Sequence, residues 1–170
     1  QMTGGFAHTQ RTLTHSQECS LPDRPAPLIR VATLAPFLAQ IAAPGQDPDP
    51  LLRQAGLSSA LVDDPEALAT APPIYRFTEI AAAALAEPRL GLRVGLLQDF
   101  SQWPPTRDAL KESHTLVEFL TRFLLSVRQF ASSVSYTLEI GDKISRLHQD
   151  RGFMPQETPA QVDGMGVGLV

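Results

Sequence analysis

The sequence predicts an α+β fold, in which a mostly helical N-terminal half is followed by a long helix and an antiparallel β-hairpin or small sheet. Two observations lead to this prediction. Apolar residues recur at helical spacing up to about residue 130, and the period then changes from 3.6 to 2. The helices also precede the hairpin instead of alternating with single strands, which disfavours a parallel βαβ sheet.

The 170-residue chain is predicted to divide into a flexible tail and one domain. Residues 1–27 have no apolar period, and three prolines between residues 22 and 27 would interrupt a helix. Cys19 has no neighbour that would lower the pKa of its thiol, so we assign it no function. Residues 28–170 form the predicted domain.

Two helices are predicted at the start of that domain. The first covers about residues 33–43, with Thr33 as its N-cap. The second is a short helix of about two turns, with Asp49 as its N-cap and Pro50 in the first helical position. Gly56 follows it, as is typical of a helix that ends in a left-handed residue.

A connector and a third helix follow. Residues 57–72 are predicted to be a connector with a turn near residues 58–61, and residues 73–86 a helix that ends before Pro88. The segment 90–97 is ambiguous between helix and strand. Its glycines, Gly91 and Gly95, indicate close packing.

The clearest helix is predicted over residues 115–130, after a short helix at about residues 106–112. Thr115 and Glu118 form a capping box, in which the hydroxyl bonds the Glu118 amide and the carboxylate reaches back. The helix has a continuous apolar stripe made of Leu116, Leu120, Phe123, Val127 and Phe130.

Alternating residues then predict a hairpin. Two strands, at about residues 133–140 and 143–148, flank Gly141-Asp142, which suits a two-residue turn with glycine first. Residues 157–170 are predicted to begin another helix. Because the chain's last residues are apolar and have no polar stop, we expect that the domain is truncated there.

The composition excludes several classes of function. The net charge of −4 lacks the basic surface of a nucleic-acid binder, so no DNA-binding residue is expected within residues 1–170. A single cysteine cannot form an intramolecular disulfide or a cysteine-based zinc site. No apolar run is long enough to span a membrane and no secretory signal is present, which predicts a cytoplasmic protein without membrane contact.

Few residues are candidates for chemistry. No histidine lies in a metal-ligand spacing and no serine in a nucleophile elbow, so we predict no catalytic residue, no metal and no cofactor. Phe100 and Trp103 form an aromatic pair in a loop that could line a small-molecule pocket, and His148 on the second strand is a further ligand-binding candidate. An enzyme would have to place its active site around Trp103, His114 and His148.

Several motifs, in this order, resemble the N-terminal sensor domain of one branch of AraC-type (arabinose-regulator) transcription factors. Over residues 28–165 they are the "D-P-L-L-R-Q-A-G-L" segment at 49–57, the Asp64-Pro65 turn, the proline-led helix at 73–86, the "E-P-R-L-G-L-R-V-G" segment at 87–95, and the "A-L-K-E-S-H-T-L-V-E-F-L" segment at 109–120. Relatives often have Gly-x-x-Gly where this chain has residues 103–106, so no binding residue is carried over.

The resemblance implies a domain that senses a small-molecule effector, pairs with a second copy, or does both. DNA would then be bound by a C-terminal helix-turn-helix unit that residues 1–170 do not include. A structural dimerisation module without a ligand and a small cytoplasmic enzyme are the alternatives. The identity of the effector is not predicted, because a shared fold does not specify a ligand.

Overall fold

The computed structural model describes residues 26–168. Most of the predicted flexible tail (residues 1–27), including Cys19, lies outside the described residues. So do residues 169 and 170 at the end of the last predicted helix. The α-helices are α1 (Ala35–Ala42), α2 (Asp49–Ala55), α3 (Ser59–Val62), α4 (Ala71–Ala84), α5 (Leu90–Leu97), α6 (Pro104–Glu112), α7 (Leu116–Val127) and α8 (Ala160–Gly168). The strands are β1 (Leu28–Arg30), β2 (Leu68–Thr70), β3 (Ser135–Glu139) and β4 (Arg146–Asp150). This confirms the predicted α+β class.

One small sheet was not predicted. β1 pairs antiparallel with β2, so that Ile29 lies opposite Ala69. Its other edge contacts the chain after α7, where the Arg30 amide donates to the carbonyl of Phe130 (2.9 Å) and Ile29 bridges to Ala131. Strands of three residues are too short to show a period, so the sequence predicted the segment of β2 to be part of a connector.

The main core lies between α1, α2, α4 and α5. Its large, fully buried side chains come from one face of each helix, and they are Leu34, Phe37, Ile41, Leu52, Ile74, Tyr75, Phe77, Leu90 and Val94. The predicted end of α2 is confirmed, because Gly56 adopts the left-handed conformation with φ of 85°, but Asp49 is the first residue of the helix and Pro48, not Asp49, is the N-cap. Burial of these apolar faces is the main stabilising contribution to the fold.

Details of three other helices differ from the prediction. A 3-10 segment, Val31–Leu34, precedes α1, so Thr33 lies within it and does not cap the helix. The predicted turn near residues 58–61 is the short helix α3, whose N-cap Ser58 accepts from the amide of Leu61 (3.3 Å). The ambiguous segment 90–97 is a helix, because its small residues allow α8 to pack directly on it.

The packing of α5 against α8 is the closest between helices among the described residues. A Cβ on Gly91 would overlap the backbone carbonyl of Gln161, and a Cβ on Gly95 would lie 2.9 Å from the Cα of Gly168. The side-chain oxygen of Gln161 accepts from the Gly91 amide (2.8 Å), and the backbone amide of Gln161 donates to the carboxylate of Glu79 (2.8 Å). The close packing predicted from Gly91 and Gly95 is therefore confirmed.

The helix α7 begins as predicted at Thr115, whose hydroxyl accepts from the amide of Glu118 (3.2 Å). The carboxylate of Glu118 accepts from the amide of His114 (2.8 Å), one residue before the N-cap. The cap is therefore a variant of the expected box, because this box would place the second bond on Thr115 itself.

The hairpin is confirmed, but its predicted turn is wrong. Glu139 pairs with Arg146, so residues 140–145 form a longer loop. Gly141 lacks the positive φ that the first position of a glycine-first turn requires. A Cβ on Gly141 would lie 2.6 Å from the carbonyl oxygen of Ile144, so a glycine here lets the two parts of the loop backbone come close together.

Candidate functional site

A groove opens on the helical side of the molecule between α1, α2 and α3. It has a volume of about 300 Å³, and apolar side chains form its floor, among them Leu38, Leu52 and Val62. Leu52 is 2% exposed and also belongs to the main core, so the packing of the core fixes the position of the groove floor. We call this feature the α1–α2–α3 groove. Its volume is at the lower end of the range of small-molecule sites, which is about 300–1,000 Å³.

The polar groups of the groove are mainly acidic. Asp49 lies in the first turn of α2, Asp63 is the C-cap of α3, and Ser59 adds a hydroxyl. Neither carboxylate forms an ion pair with any side chain within residues 26–168. An apolar floor with unpaired negative charge can hold an organic molecule and favours a positive group on it.

A second candidate region is a cluster of aromatic rings. Its members come from the loop before α6, from α7 and from the residues after it, and they are Phe100, Trp103, Phe119, Phe123 and Phe130. Phe100 stacks on Trp103 with 5.6 Å between ring centroids, and the edge of Phe123 meets both rings. This aromatic cluster attaches α7 to the loop and to Arg30, whose guanidinium lies 4.9 Å from the centroid of Phe130.

The loop that carries Phe100 has its own local support. Asp99 accepts hydrogen bonds from the amide of Ser101 (3.1 Å) and from its hydroxyl (2.5 Å). The hydrogen bond from Ser101 is the main reason why the pKa of Asp99 lies below its ordinary value. This arrangement begins the short 3-10 turn over Phe100–Gln102 and sets the position of the ring.

The outer surface of α6 and α7 carries exposed apolar side chains beside charged ones. Leu110 and Leu125 are 50% and 64% exposed and Val117 is exposed as well, while the exposed Arg122 is paired with Glu112. We call this surface the α6–α7 face. An apolar surface of this kind is typical of a protein–protein contact.

Both histidine candidates are exposed, and neither contributes a ring contact to the aromatic cluster. His148 is on β4, exposed, with its Nε2 3.2 Å from a carboxylate oxygen of Glu139 on the facing strand. His114 is exposed just before α7. The structure thus brings Phe100 and Trp103 together and places His148 on the hairpin.

A third cluster, not predicted, joins α4, the hairpin and α8. Tyr75 is 1% exposed and stacks on Phe153, with centroids 6.2 Å apart, and the guanidinium of Arg151 lies 5.7 Å from the Tyr75 ring centroid. Arg151 forms an ion pair with Asp163, and burial raises the pKa of nearby Tyr136. These residues come from four separate segments, so no local pattern could have identified the cluster.

Within the part of the chain that the structure describes, no group of three or more His, Cys, Asp or Glu side chains could hold a metal ion. None of its helices has the length and apolar character needed to cross a bilayer.

A known protein family matches most of this chain. The family model of the arabinose-binding domain of AraC transcription regulator, N-terminal, matches residues 45–163, which is more than half of the chain. No curated protein matches the chain. The match runs from the loop before α2 into α8, so α2 and α3 of the groove lie within it and α1 precedes it.

Proposed function

The chain belongs to the family of arabinose-binding N-terminal domains of AraC transcription regulators, and we propose on this basis that it senses a small-molecule effector for such a regulator. The family is a regulatory, ligand-binding domain and not an enzyme family. In our proposal, residues 28–170 act as the sensor. DNA is bound by a separate C-terminal helix-turn-helix unit of the regulator, in the cytoplasm.

The family match carries the sensing function, and we place the effector in the α1–α2–α3 groove. Its floor is apolar, its polar groups are few, and three helices form its walls. An apolar floor with a few polar groups is one property that small-molecule sites share. The ligand-binding role of Phe100, Trp103 and His148 stays a prediction. The mutual contacts of Phe100 and Trp103 favour a role in positioning α7.

Sensing further requires that the effector prefers one of two states of the regulator. We propose that the second state differs in how two copies of the domain pair through the α6–α7 face. This face has exposed leucines, and its helix ends beside β1, where Phe130 accepts from the Arg30 amide. The core beneath β1 is shared with α1, which links the face to one wall of the groove.

The test is thermal unfolding of the domain against a metabolite library, with a variant that fills the groove. An effector that binds only the folded state raises the Tm by mass action. Ala39→Phe puts a ring into the groove from an exposed position of α1 and should abolish the shift. Ala83→Phe, at an exposed position of α4 outside the groove, is the matched control and should retain it. An effector whose shift survives in Ala39→Phe would exclude the groove.

A ligand-free dimerisation module is the second candidate, and the exposed α6–α7 face favours it. Sedimentation of the wild type and of Leu125→Glu measures pairing, with Leu96→Glu, an equally exposed leucine of α5, as control. A dimer that Leu125→Glu alone dissociates, together with no stabilisation by any compound, would favour this candidate over the sensor.

A further inference from the structure

We propose that the α1–α2–α3 groove selects a small organic cation, an ammonium group on an apolar body. This inference rests on the proposed sensing function and names the chemical class of its effector. The occupant is a free small molecule and not a peptide, because the groove holds only about 300 Å³.

The apolar part of the argument concerns the floor. Leu38, Leu52 and Val62, with two alanines of α1, present carbon atoms to the groove. Leu38 and Val62 remain partly exposed although they pack against the core. A ligand with an alkyl body would remove this surface from water, which favours binding roughly in proportion to the area covered.

The polar part concerns charge. Asp49 and Asp63 both line the groove, and neither forms an ion pair within residues 26–168. Arg53, one turn along α2 from Asp49, forms no ion pair with either carboxylate and does not line the groove. The two carboxylates therefore have no side-chain counterion, and only the N-terminus of α2 offsets part of the charge of Asp49.

Neighbouring groups add to this potential. Asp47 and Asp64 flank the rim in sequence, and each carboxylate accepts one backbone amide (3.0 Å), from Asp49 and from Glu66. Unlike these aspartates, the neighbouring Glu66 forms an ion pair, with Arg30. A carboxylate ligand would be repelled here, whereas an ammonium ion has three donors for the two carboxylates and the hydroxyl of Ser59.

The experiment uses three probes of similar shape and different charge: n-hexylammonium, 1-hexanol and hexanoate. Each is titrated into the isotope-labelled 170-residue chain at pH 7, and binding is followed by amide chemical shifts. We expect n-hexylammonium to bind about tenfold more tightly than 1-hexanol and hexanoate not to bind, since two partly exposed carboxylates each contribute modestly. This preference should shrink with added salt, because salt screens the carboxylates.

Variants then locate the effect. Asp49→Asn and Asp63→Asn keep the shape of the side chains, and each should weaken n-hexylammonium about two- to fivefold while leaving 1-hexanol unchanged. Asp142→Asn, in the exposed hairpin loop, is the control and should have no effect. Ala39→Phe should abolish binding of both probes.

Three results would overturn the inference. They are equal binding of n-hexylammonium and 1-hexanol, no binding of n-hexylammonium, and n-hexylammonium affinity that is the same in Asp49→Asn, Asp63→Asn and Asp142→Asn. In each case the sensing function survives if a compound of another class stabilises the wild type in the library screen. It fails separately if no compound does.

Discussion

Replacing Gly91 by alanine tests the packing of α5 against α8. The new Cβ would overlap the backbone carbonyl of Gln161, and this carbonyl belongs to a helix that cannot rotate away like a side chain. The helix α8 must therefore move, and the hydrogen bond from the Gly91 amide to the Gln161 side chain (2.8 Å, buried) is strained or lost with it.

The magnitude follows from three contributions. Overpacking of an ordered interface costs about 1–3 kcal/mol. Leaving a buried amide without its acceptor costs about 1–3 kcal/mol. Against these, alanine is favoured over glycine inside a helix by about 1 kcal/mol. We therefore expect Gly91→Ala to lower the free energy of unfolding by about 3 kcal/mol.

The assay is urea denaturation followed by circular dichroism, with Gly166→Ala as a matched control. A Cβ on Gly166 meets no atom within 4 Å, so this variant gains only the helix preference and should be more stable by up to about 1 kcal/mol. A fall in the m-value of Gly91→Ala would show that α8 has separated from the rest. If Gly91→Ala is as stable as Gly166→Ala, the close packing described above is incorrect.

Three further variants test separate parts of the fold. Arg93 forms an ion pair with Glu87 through two hydrogen bonds of 2.5 Å each, and these bonds lower the pKa of Glu87 below its ordinary value of 4.5. The pair therefore stabilises the fold above pH 4.5, and this contribution is lost as the pH falls through the lowered pKa. Denaturation of the wild type and Glu87→Gln from pH 7 to 3 should show a stability difference that shrinks below pH 4.5, and a constant difference would contradict the argument. Thr115→Ala removes the N-cap of α7 and should cost about 1 kcal/mol in urea denaturation, whereas Thr115→Ser should cost much less. Phe37→Ala, in the fully buried core, should cost about 3–5 kcal/mol, and a thermal unfolding scan that shows less than 1 kcal/mol would place Phe37 outside the core.

Local patterns predicted those elements whose cause is local. The helix α2 was predicted to within one residue because an N-terminal proline and a C-terminal glycine mark its ends locally. The N-cap of α7 and the existence of the hairpin were predicted for the same reason. The turn of the hairpin was not predicted correctly, because a glycine fits both a two-residue turn and a longer loop in which it lies close to the backbone of Ile144. Only the pairing of Glu139 with Arg146 shows that the longer loop is formed.

The candidate site shows the same division. The apolar positions of α1 and α2 and the carboxylate of Asp49 are visible in the sequence, and so is the family to which the chain belongs. That Leu38, Asp49 and Asp63 line one groove depends on how three helices pack, as does the meeting of Tyr75, Arg151 and Asp163. Such contacts join residues distant in the chain, and the free energy that selects them comes from burying whole faces together. Sequence alone therefore determined the fold class, the family and most of the helices, while the tertiary packing decided which distant side chains meet in the groove and in the clusters.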